Sequence, residues 1–391
     1  MTAQGTRHNA RSIRQESLRQ ESLRQESLRQ ESTPQESLRP GQLRTQPAPG
    51  ITAPSMPAST KERGSAPRPS APRPSTSGPP APGSPPPGSP APGSPASGEP
   101  PGAAQIDLLP WHFGALAIYH WPAPPTTRAR GVVLLVHGLG EHMGRYAHVA
   151  AQLQRAGWIC VGYDHPGHGR SEGIRGRLPH SQALEQALIH VALHVVAELP
   201  TRVAQELPFV LVGHSMGGLV VAESLRSSAD RLPDIAAVVL SAPAFGAPLA
   251  AWQRLALRTL AGPLPHLSLD HAIQPQWICR DTAVVRNYQR DPLVHRRVTP
   301  RLGGWIVSSG ERVVAEAGKW RHRALLLSAG VERLVSNKAI DAFISSAPPG
   351  IVEHHHEPAM FHEMFNDADH VRVLQVVLRW LEEHAPPGTL P

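Results

Sequence analysis

The residues of this sequence best suited to covalent chemistry are Gly213-His-Ser-Met-Gly217, which fit the pattern G-x-S-x-G. A serine in this pattern lies on a strained turn between a strand and a helix, where its hydroxyl is exposed. The flanking glycines remove Cβ atoms that would collide with neighbouring backbone. The N–H groups that open the following helix would stabilise an oxyanion. The motif therefore predicts Ser215 as the nucleophile of an acyl-transfer reaction.

The segments around this motif have the pattern of an α/β protein. An apolar strand over 209–212 runs into the motif, and an apolar helix over 218–225 leaves it. Similar apolar runs, each followed by a polar or glycine-rich loop, predict buried strands over 131–136, 158–163, 235–240 and 323–330. Strands that alternate with helices predict a mostly parallel central sheet with helices on both faces. Ligands bind such sheets beyond the carboxyl ends of the strands, where Ser215 lies.

The beginning of the chain has a different composition. Residues 1–104 contain no Phe, Tyr, Trp or Cys but 21 of the 43 prolines, so they lack the apolar surface for a core. A pentapeptide repeat over 14–38 has a period that fits neither helix nor strand, and 45–103 is a Pro/Ser/Gly-rich linker. We therefore expect a disordered tail over 1–103 and one domain over 104–391.

Residues 245–320 interrupt the alternation of strands and helices. They contain Trp252, Trp277, Trp305 and Trp320, together with apolar residues at helical spacing. Long insertions in compact domains are often lids over active sites. We predict a helical cap over the site, and the alternative is an additional packing layer without a gating role.

Five motifs, in this order, resemble the α/β-hydrolase fold and, within it, the group of monoacylglycerol lipases and lysophospholipases. The matching stretches, which span about 105–385, are HGLGEHMGRY (137–146), DHPGHGRSEG (164–173), GHSMGG (213–218), SAPA (241–244) and HEMFN (362–366). The resemblance implies a serine hydrolase that acts on lipid esters such as monoacylglycerols or lysophospholipids. It implies no metal and no organic cofactor.

The resemblance also implies a triad in the order Ser215, acid, His362. The family usually has an Asp after the strand that ends here near Gly330, and Glu332 stands in that register. A Glu can orient a histidine as an Asp does, with one more methylene to place. Asp341, on the following helix, is the alternative acid. The remaining candidate histidines are interpreted as structural or solvated, namely His165, His168, His214, His354, His355, His356 and His370.

Further residues beside the triad follow from the resemblance. The backbone N–H groups of Leu139 and Met216 should form the oxyanion hole. Glu141 and Arg145 are expected to bind the polar alcohol part of the substrate, and the alternative is a salt-bridged helix start. Phe365 stands where monoglyceride lipases of the family can have a polar residue, which widens the expected range to lysophospholipids and simple esters.

The charge and the cysteine content exclude some classes of function. The net charge is +7, and 12 of the 38 Lys and Arg but only 7 of the 31 Asp and Glu lie in 1–104. The predicted domain is therefore nearly neutral, which argues against nucleic-acid binding. Two cysteines make no disulfide framework, and no stretch resembles a signal peptide or a bilayer span. We expect a cytoplasmic protein, with the cap as the surface for any peripheral membrane contact.

The leading interpretation is thus a serine carboxylester hydrolase that works through an acyl-enzyme. An acyltransferase on the same triad is one alternative, because a cap that excludes water would change the acceptor. The other alternative is a non-catalytic interaction protein that works through its tail, whose partner the sequence does not identify.

Overall fold

The computed structural model describes residues 104–121, 129–200, 206–271 and 273–386. The predicted tail, with its repeat and its linker, lies outside these residues. Within them, no helix is long and apolar enough to cross a lipid bilayer.

The centre of the described domain is a sheet of eight strands. The ten strands of the described chain are β1 Gln105–Trp111, β2 Gly114–Trp121, β3 Gly131–Val136, β4 Trp158–Tyr163, β5 Phe209–His214, β6 Ile235–Ser241, β7 Leu269–Asp270, β8 Arg297–Val298, β9 Ala324–Ala329 and β10 Val352–Glu357. The order in the sheet is β1-β2-β4-β3-β5-β6-β9-β10, and β7 pairs separately with β8. Only the pairs β1–β2 and β2–β4 of this sheet are antiparallel, so the prediction of a mostly parallel sheet is confirmed.

Burial on both faces explains the sequences of the central strands. Every residue of β3, β5 and β9 is buried. Such strands need apolar side chains on both faces, which gives runs of Val, Leu and Ala rather than alternation. β1 lies at the edge of the sheet and is mostly exposed. The carboxyl ends of the parallel strands share one edge of the sheet, where the loops of the site lie.

The contacts between helices form two groups, and the described chain has eight α-helices. They are α1 Ala147–Arg155, α2 Ala183–Glu198, α3 Met216–Ser228, α4 Ala251–Leu260, α5 Thr282–Arg290, α6 Pro300–Ala315, α7 Asn337–Ser346 and α8 His370–His384. Contacts join α2, α3, α6 and α7 in sequence, and α8 contacts α1. Val373, Val377, Trp380 and Leu381 of α8 are buried, as their spacing predicts.

The insertion over 245–320 has two structural parts. Helix α6 packs against the core helix α3, and Leu302, Trp305 and Val313 belong to the main hydrophobic core. The Trp305 indole N–H donates to Glu185 of α2 at 2.9 Å. The alternative of an additional packing layer therefore describes α6. The cap proposal concerns the segment before it, which contains α4 and α5.

The turn between β5 and α3 leaves no room for side chains at its two glycines. A Cβ at Gly217 would collide with the carbonyl oxygens of Val136 and His137, at the end of β3. A Cβ at Gly213 would lie 2.6 Å from the Gly217 oxygen and 2.7 Å from Gly218 Cα. These contacts set how closely α3 approaches the sheet, and thereby where Ser215 lies.

We expect Gly217→Ala to lower the free energy of unfolding by about 1–3 kcal/mol, because the new methyl group meets rigid backbone. The matched control is Gly262→Ala, since a Cβ at Gly262 has nothing within 4 Å. That change should stay within about 0.5 kcal/mol. Urea unfolding followed by circular dichroism measures both. Equal stability of the two variants would contradict the close approach at the turn.

Candidate active site

Ser215 connects β5 to α3 with a strained backbone. Its φ is 53° and its ψ is −118°, a conformation that non-glycine residues rarely adopt. Three backbone hydrogen bonds hold it. The Ser215 N–H donates to Ser241 O at 2.9 Å, and Ser215 O accepts from the N–H groups of Leu219 at 3.1 Å and Ala244 at 3.0 Å. This is the strained strand-to-helix turn that the motif predicts.

His362 lies in the loop between β10 and α8, with its ring between Ser215 and Glu332. Its Nε2 is 2.8 Å from Ser215 Oγ, and its Nδ1 is 2.8 Å from Glu332 Oε2. The imidazole is 5 % exposed and the Glu332 side chain 1 %. The structure thus brings the three predicted residues into one hydrogen-bonded chain, in the arrangement of a nucleophile, a base and an orienting acid.

Glu332 reaches His362 because its own loop holds the carboxylate. Glu332 Oε1 accepts from the backbone N–H groups of Arg333 at 2.9 Å, Leu334 at 2.7 Å and Val335 at 3.2 Å. The second oxygen, Oε2, is left for the imidazole. Asp341 is exposed on α7, and among the described residues the hydrogen bonds of the His362 ring go to Glu332 and Ser215. The geometry therefore favours Glu332 over Asp341.

Burial and the contact between Glu332 and His362 shift the pKa of both groups. Burial alone would lower the pKa of His362, but the Glu332 carboxylate raises it above the usual value. Burial alone would raise the pKa of Glu332, but His362 and its backbone donors lower it. Burial and the nearby His362 lower the pKa of His214 to about 3. His214, whose ring centre lies 4.8 Å from that of His362, is therefore neutral at pH 7.

Both predicted oxyanion residues line the cavity that Ser215 faces. Met216 is the first residue of α3, so its N–H has no acceptor within the helix. Leu139 lies in the loop after β3, where Glu141 Oε1 accepts from the N–H of the preceding Gly138 at 2.6 Å. The role of these two N–H groups as oxyanion donors stays a prediction.

Glu141 lines the same cavity, whereas Arg145 is not among the described residues that do. Arg145 Nη1 donates to Glu141 Oε2 at 2.5 Å and to Glu363 Oε1 at 2.8 Å, and Nη2 donates to Glu363 Oε2 at 2.6 Å. This agrees with the salt-bridged alternative for Glu141 and Arg145. It adds Glu363, which the sequence analysis missed; the signal was an acidic residue directly after the predicted base.

The cavity beside Ser215 has a volume of about 310 Å³ and is lined mainly by apolar side chains. They come from the core and from the insertion, including Leu257 of α4 and Ile306 and Val307 of α6. Glu141 and Glu363 supply the carboxylates of its wall. An apolar chamber with a small polar region next to a nucleophile suits an ester whose acyl part is apolar.

Phe365 is buried in the main core and, within the described residues, does not line the cavity. Phe365 therefore does not face this cavity, and the wider substrate range stays a prediction. Among the histidines, His165 and His168 are buried beside His137, and His354 and His356 both contact the Ser328 hydroxyl. His370 Nδ1 donates to the Asp367 carbonyl oxygen at 2.7 Å, at the start of α8, and His370 does not line the cavity among the described residues. Within the described residues, no group of three or more His, Cys, Asp or Glu could hold a metal ion.

Comparison with known proteins identifies the family. The family described as "Serine aminopeptidase, S33" matches residues 127–369. This match spans more than half of the chain and includes Ser215, Glu332 and His362, so the chain belongs to this family of α/β-hydrolases. The resemblance to that fold is confirmed.

Individual relatives give a finer comparison. The chain is 31% identical over 281 residues to the monoacylglycerol lipase of Mycolicibacterium smegmatis, which covers 69% of this chain and 95% of that protein. It is 28% identical over 262 residues to an uncharacterized abhydrolase domain-containing protein of Dictyostelium discoideum, covering 66% of this chain but only 27% of that protein. The crystal structure of Paleococcus ferrophilus monoacylglycerol lipase superposes with a TM-score of 0.60 at 28% identity, covering 71% of this chain and 99% of that one.

We expect Glu332→Gln to lower kcat by up to about 10⁴-fold, since the amide favours the wrong imidazole tautomer and does not stabilise the imidazolium. Asp341→Asn should change kcat by less than about twofold, because surface changes outside the site are near neutral. Glu332→Asp should keep partial activity, since it keeps the carboxylate but shortens the side chain by one methylene. Steady-state kinetics on a soluble ester measures all three. If Asp341→Asn is the inactive variant, the acid lies on α7 instead.

Proposed function

We propose that this protein is a carboxylic ester hydrolase that cleaves lipid esters such as monoacylglycerols through an acyl-enzyme intermediate. The observation that carries the proposal is the hydrogen-bonded chain from Ser215 through His362 to Glu332, which opens into an apolar cavity. The monoacylglycerol lipases among its relatives support the same substrate class.

The mechanism follows from the atoms in contact. Ser215 Oγ attacks the ester carbonyl while His362 Nε2 takes its proton, and Glu332 stabilises the imidazolium. The N–H groups of Leu139 and Met216 bind the oxyanion. His362 then protonates the leaving alcohol, which leaves the acyl group on Ser215. Water, activated by the same histidine, releases the fatty acid and restores the enzyme.

Two sides of the cavity divide the substrate between them. The acyl chain would lie among the apolar residues of α4 and α6, where burial contributes roughly 25 cal/mol per Å² of apolar surface. The alcohol would lie near Glu141, whose carboxylate accepts hydrogen bonds from hydroxyl groups. A glycerol monoester has this combination of one long apolar chain and two free hydroxyls.

We expect the full-length protein to hydrolyse monooleoylglycerol and Ser215→Ala to lose kcat by on the order of 10⁶-fold, since only binding and oxyanion contacts remain. The other substrates to be tested are a lysophosphatidylcholine, a p-nitrophenyl ester and an aminoacyl arylamide. The arylamide is included because the family description names an aminopeptidase. Released fatty acid and newly formed diacylglycerol are measured separately. An excess of diacylglycerol over fatty acid would indicate an acyltransferase.

The control for this experiment is labelling by a fluorophosphonate probe, which reacts with an activated serine whatever the natural substrate is. Wild type should be labelled and Ser215→Ala should not. Absence of labelling in folded wild type would favour the non-catalytic interaction protein. Near-native turnover by Ser215→Ala in a clean preparation would show that the proposed nucleophile is wrong.

The outer face of α4 provides the argument for a membrane partner. Trp252 is 71 % exposed and Leu255 is 62 % exposed, while Leu257 of the same helix lines the cavity. Exposed Leu264 and Leu267 follow α4 in the chain. Large exposed apolar side chains of this kind mark interaction surfaces. We propose a lipid bilayer as the partner, because the proposed substrate is itself a lipid and α4 presents apolar side chains both to solvent and to the cavity.

We expect the double change Trp252→Gln and Leu255→Gln to lower hydrolysis of monooleoylglycerol in phosphatidylcholine vesicles by about tenfold or more, because the apolar contact with lipid is lost. Hydrolysis of soluble p-nitrophenyl butyrate should stay within about twofold. The matched control is Leu193→Gln, since Leu193 is 45 % exposed on α2. Vesicle co-sedimentation measures binding directly. Equal losses on both substrates would indicate damage to the cap rather than to a lipid contact.

A further inference from the structure

The guanidinium of Arg145 lies between two carboxylates and is almost entirely buried. It makes one hydrogen bond to Glu141 and two to Glu363, and the three side chains are 10 %, 4 % and 5 % exposed, respectively. The ring of Tyr288, on α5 of the insertion, lies 5.0 Å from the guanidinium carbon. With two carboxylates and an aromatic ring around it, the guanidinium has little surface left for a substrate.

The first carboxylate connects Arg145 to the loop of the oxyanion residue. Glu141 Oε1 accepts from the Gly138 N–H at 2.6 Å and from the Tyr146 hydroxyl at 2.9 Å, while Oε2 accepts from Arg145. Leu139, the predicted oxyanion donor, is the residue after Gly138. Glu141 therefore holds the peptide that joins His137 to Gly138, one peptide before the one that carries the Leu139 N–H, and Arg145 holds Glu141.

The second carboxylate connects Arg145 to the loop of the base. Glu363 is covalently next to His362, and its side chain accepts both bonds of the guanidinium fork and one from Asn366 Nδ2 at 3.0 Å. The Glu363 N–H donates to Ile278 O of the insertion at 2.7 Å. Hydrogen bonds thus hold both the side chain and the backbone N–H of Glu363, the residue after His362.

We propose that Arg145 is a positioning residue that sets the oxyanion loop and the His362 loop at a fixed distance from each other, rather than a ligand of the substrate alcohol. The inference rests on the proposed ester hydrolysis. Both loops must be correctly placed around one reacting carbonyl, and an error of about 1 Å in such geometry can cost on the order of 10²-fold in rate.

The planar fork of arginine is the feature that this role requires. A guanidinium can hold one carboxylate with two parallel hydrogen bonds and a second carboxylate with another N–H, all in one plane. A lysine ammonium supplies the positive charge but not the planar arrangement of N–H donors. Arg145→Lys should therefore keep charge balance but lose the fixed spacing of the two loops.

The pKa of His362 provides a second readout, because it depends on the charge of Glu363. The titratable groups that face His362 are Glu332, Glu363, Glu141 and His214. Burial lowers the pKa of His362, and the carboxylates of Glu332, Glu363 and Glu141 raise it. Arg145 opposes the effect of burial on Glu363 and keeps its pKa at about 2, so Glu363 is an anion in the working pH range. Removing that charge should lower the pKa of His362.

The experiment uses the full-length protein with two esters, monooleoylglycerol and p-nitrophenyl butyrate, of which only the first has free hydroxyls. We expect Arg145→Lys and Glu363→Gln to lower kcat by about 10- to 100-fold on both esters, with KM changed less than about threefold. In Glu363→Gln the acidic limb of kcat/KM should also shift to lower pH, because His362 loses its proton more readily.

The matched control is Glu223→Gln, since Glu223 is a buried carboxylate held by Arg226 and Arg312 away from the cavity. It should lower thermal stability without changing kcat or the pH profile. A loss confined to monooleoylglycerol, and to its KM, would overturn the proposal and make Arg145 a substrate ligand. Unchanged kcat in folded Glu363→Gln would overturn it as well, even where Arg145→Lys does not fold.

The rate of labelling by a fluorophosphonate probe separates this inference from the proposed function. If wild type hydrolyses no ester but is labelled, the proposed function fails, and slower labelling of Glu363→Gln still supports the positioning role. If wild type hydrolyses the esters but the two variants are labelled and turn over at the wild-type rate, only the positioning role fails.

Discussion

The strained backbone of Ser215 is the constraint on which the rest of the site depends. A residue with a φ of 53° keeps that conformation only where its surroundings enforce it. Here the enforcement comes from hydrogen bonds to Ser241, Leu219 and Ala244, and from Gly217 packed without a side chain against the end of β3. The sheet and α3 therefore hold the nucleophile before any substrate binds, and the loops of the acid and the base are placed relative to it.

The sequence could predict those parts of the fold whose signals are local. Apolar runs at β3, β5 and β9 have no polar alternation because both faces are covered, and this pattern is readable without a structure. The turn at Ser215 can also be predicted from the sequence, because its residue types form a short local motif, even though Gly217 is required by Val136 and His137, which are distant in the chain. By contrast, His362 is one of 22 histidines and could be singled out only through a family resemblance.

What the sequence could not predict depends on contacts between distant positions. Arg145 and Glu363 are 218 residues apart in the chain, and no periodicity links them. For a similar reason, the sequence did not show that the insertion has two parts, one packed on the core and one beside the cavity. The apolar residues of α6 pack on core helices, whereas α4 places Leu257 toward the cavity and Trp252 toward solvent. Apolar composition alone cannot tell a core contact from a cavity wall or an exposed surface.

The insertion and the catalytic loops are structurally coupled through the His362 loop. Ile278 accepts from the Glu363 N–H, and Tyr288 covers the guanidinium that Glu363 binds. Farther along, Arg280 donates to Asp367 at 2.5 and 2.9 Å and to Asp369 at 2.8 Å, where α8 begins. A displacement of this part of the insertion would break bonds to the segment that carries the base. Because the cavity wall and the histidine loop share these contacts, filling the cavity and aligning His362 are expected to occur together.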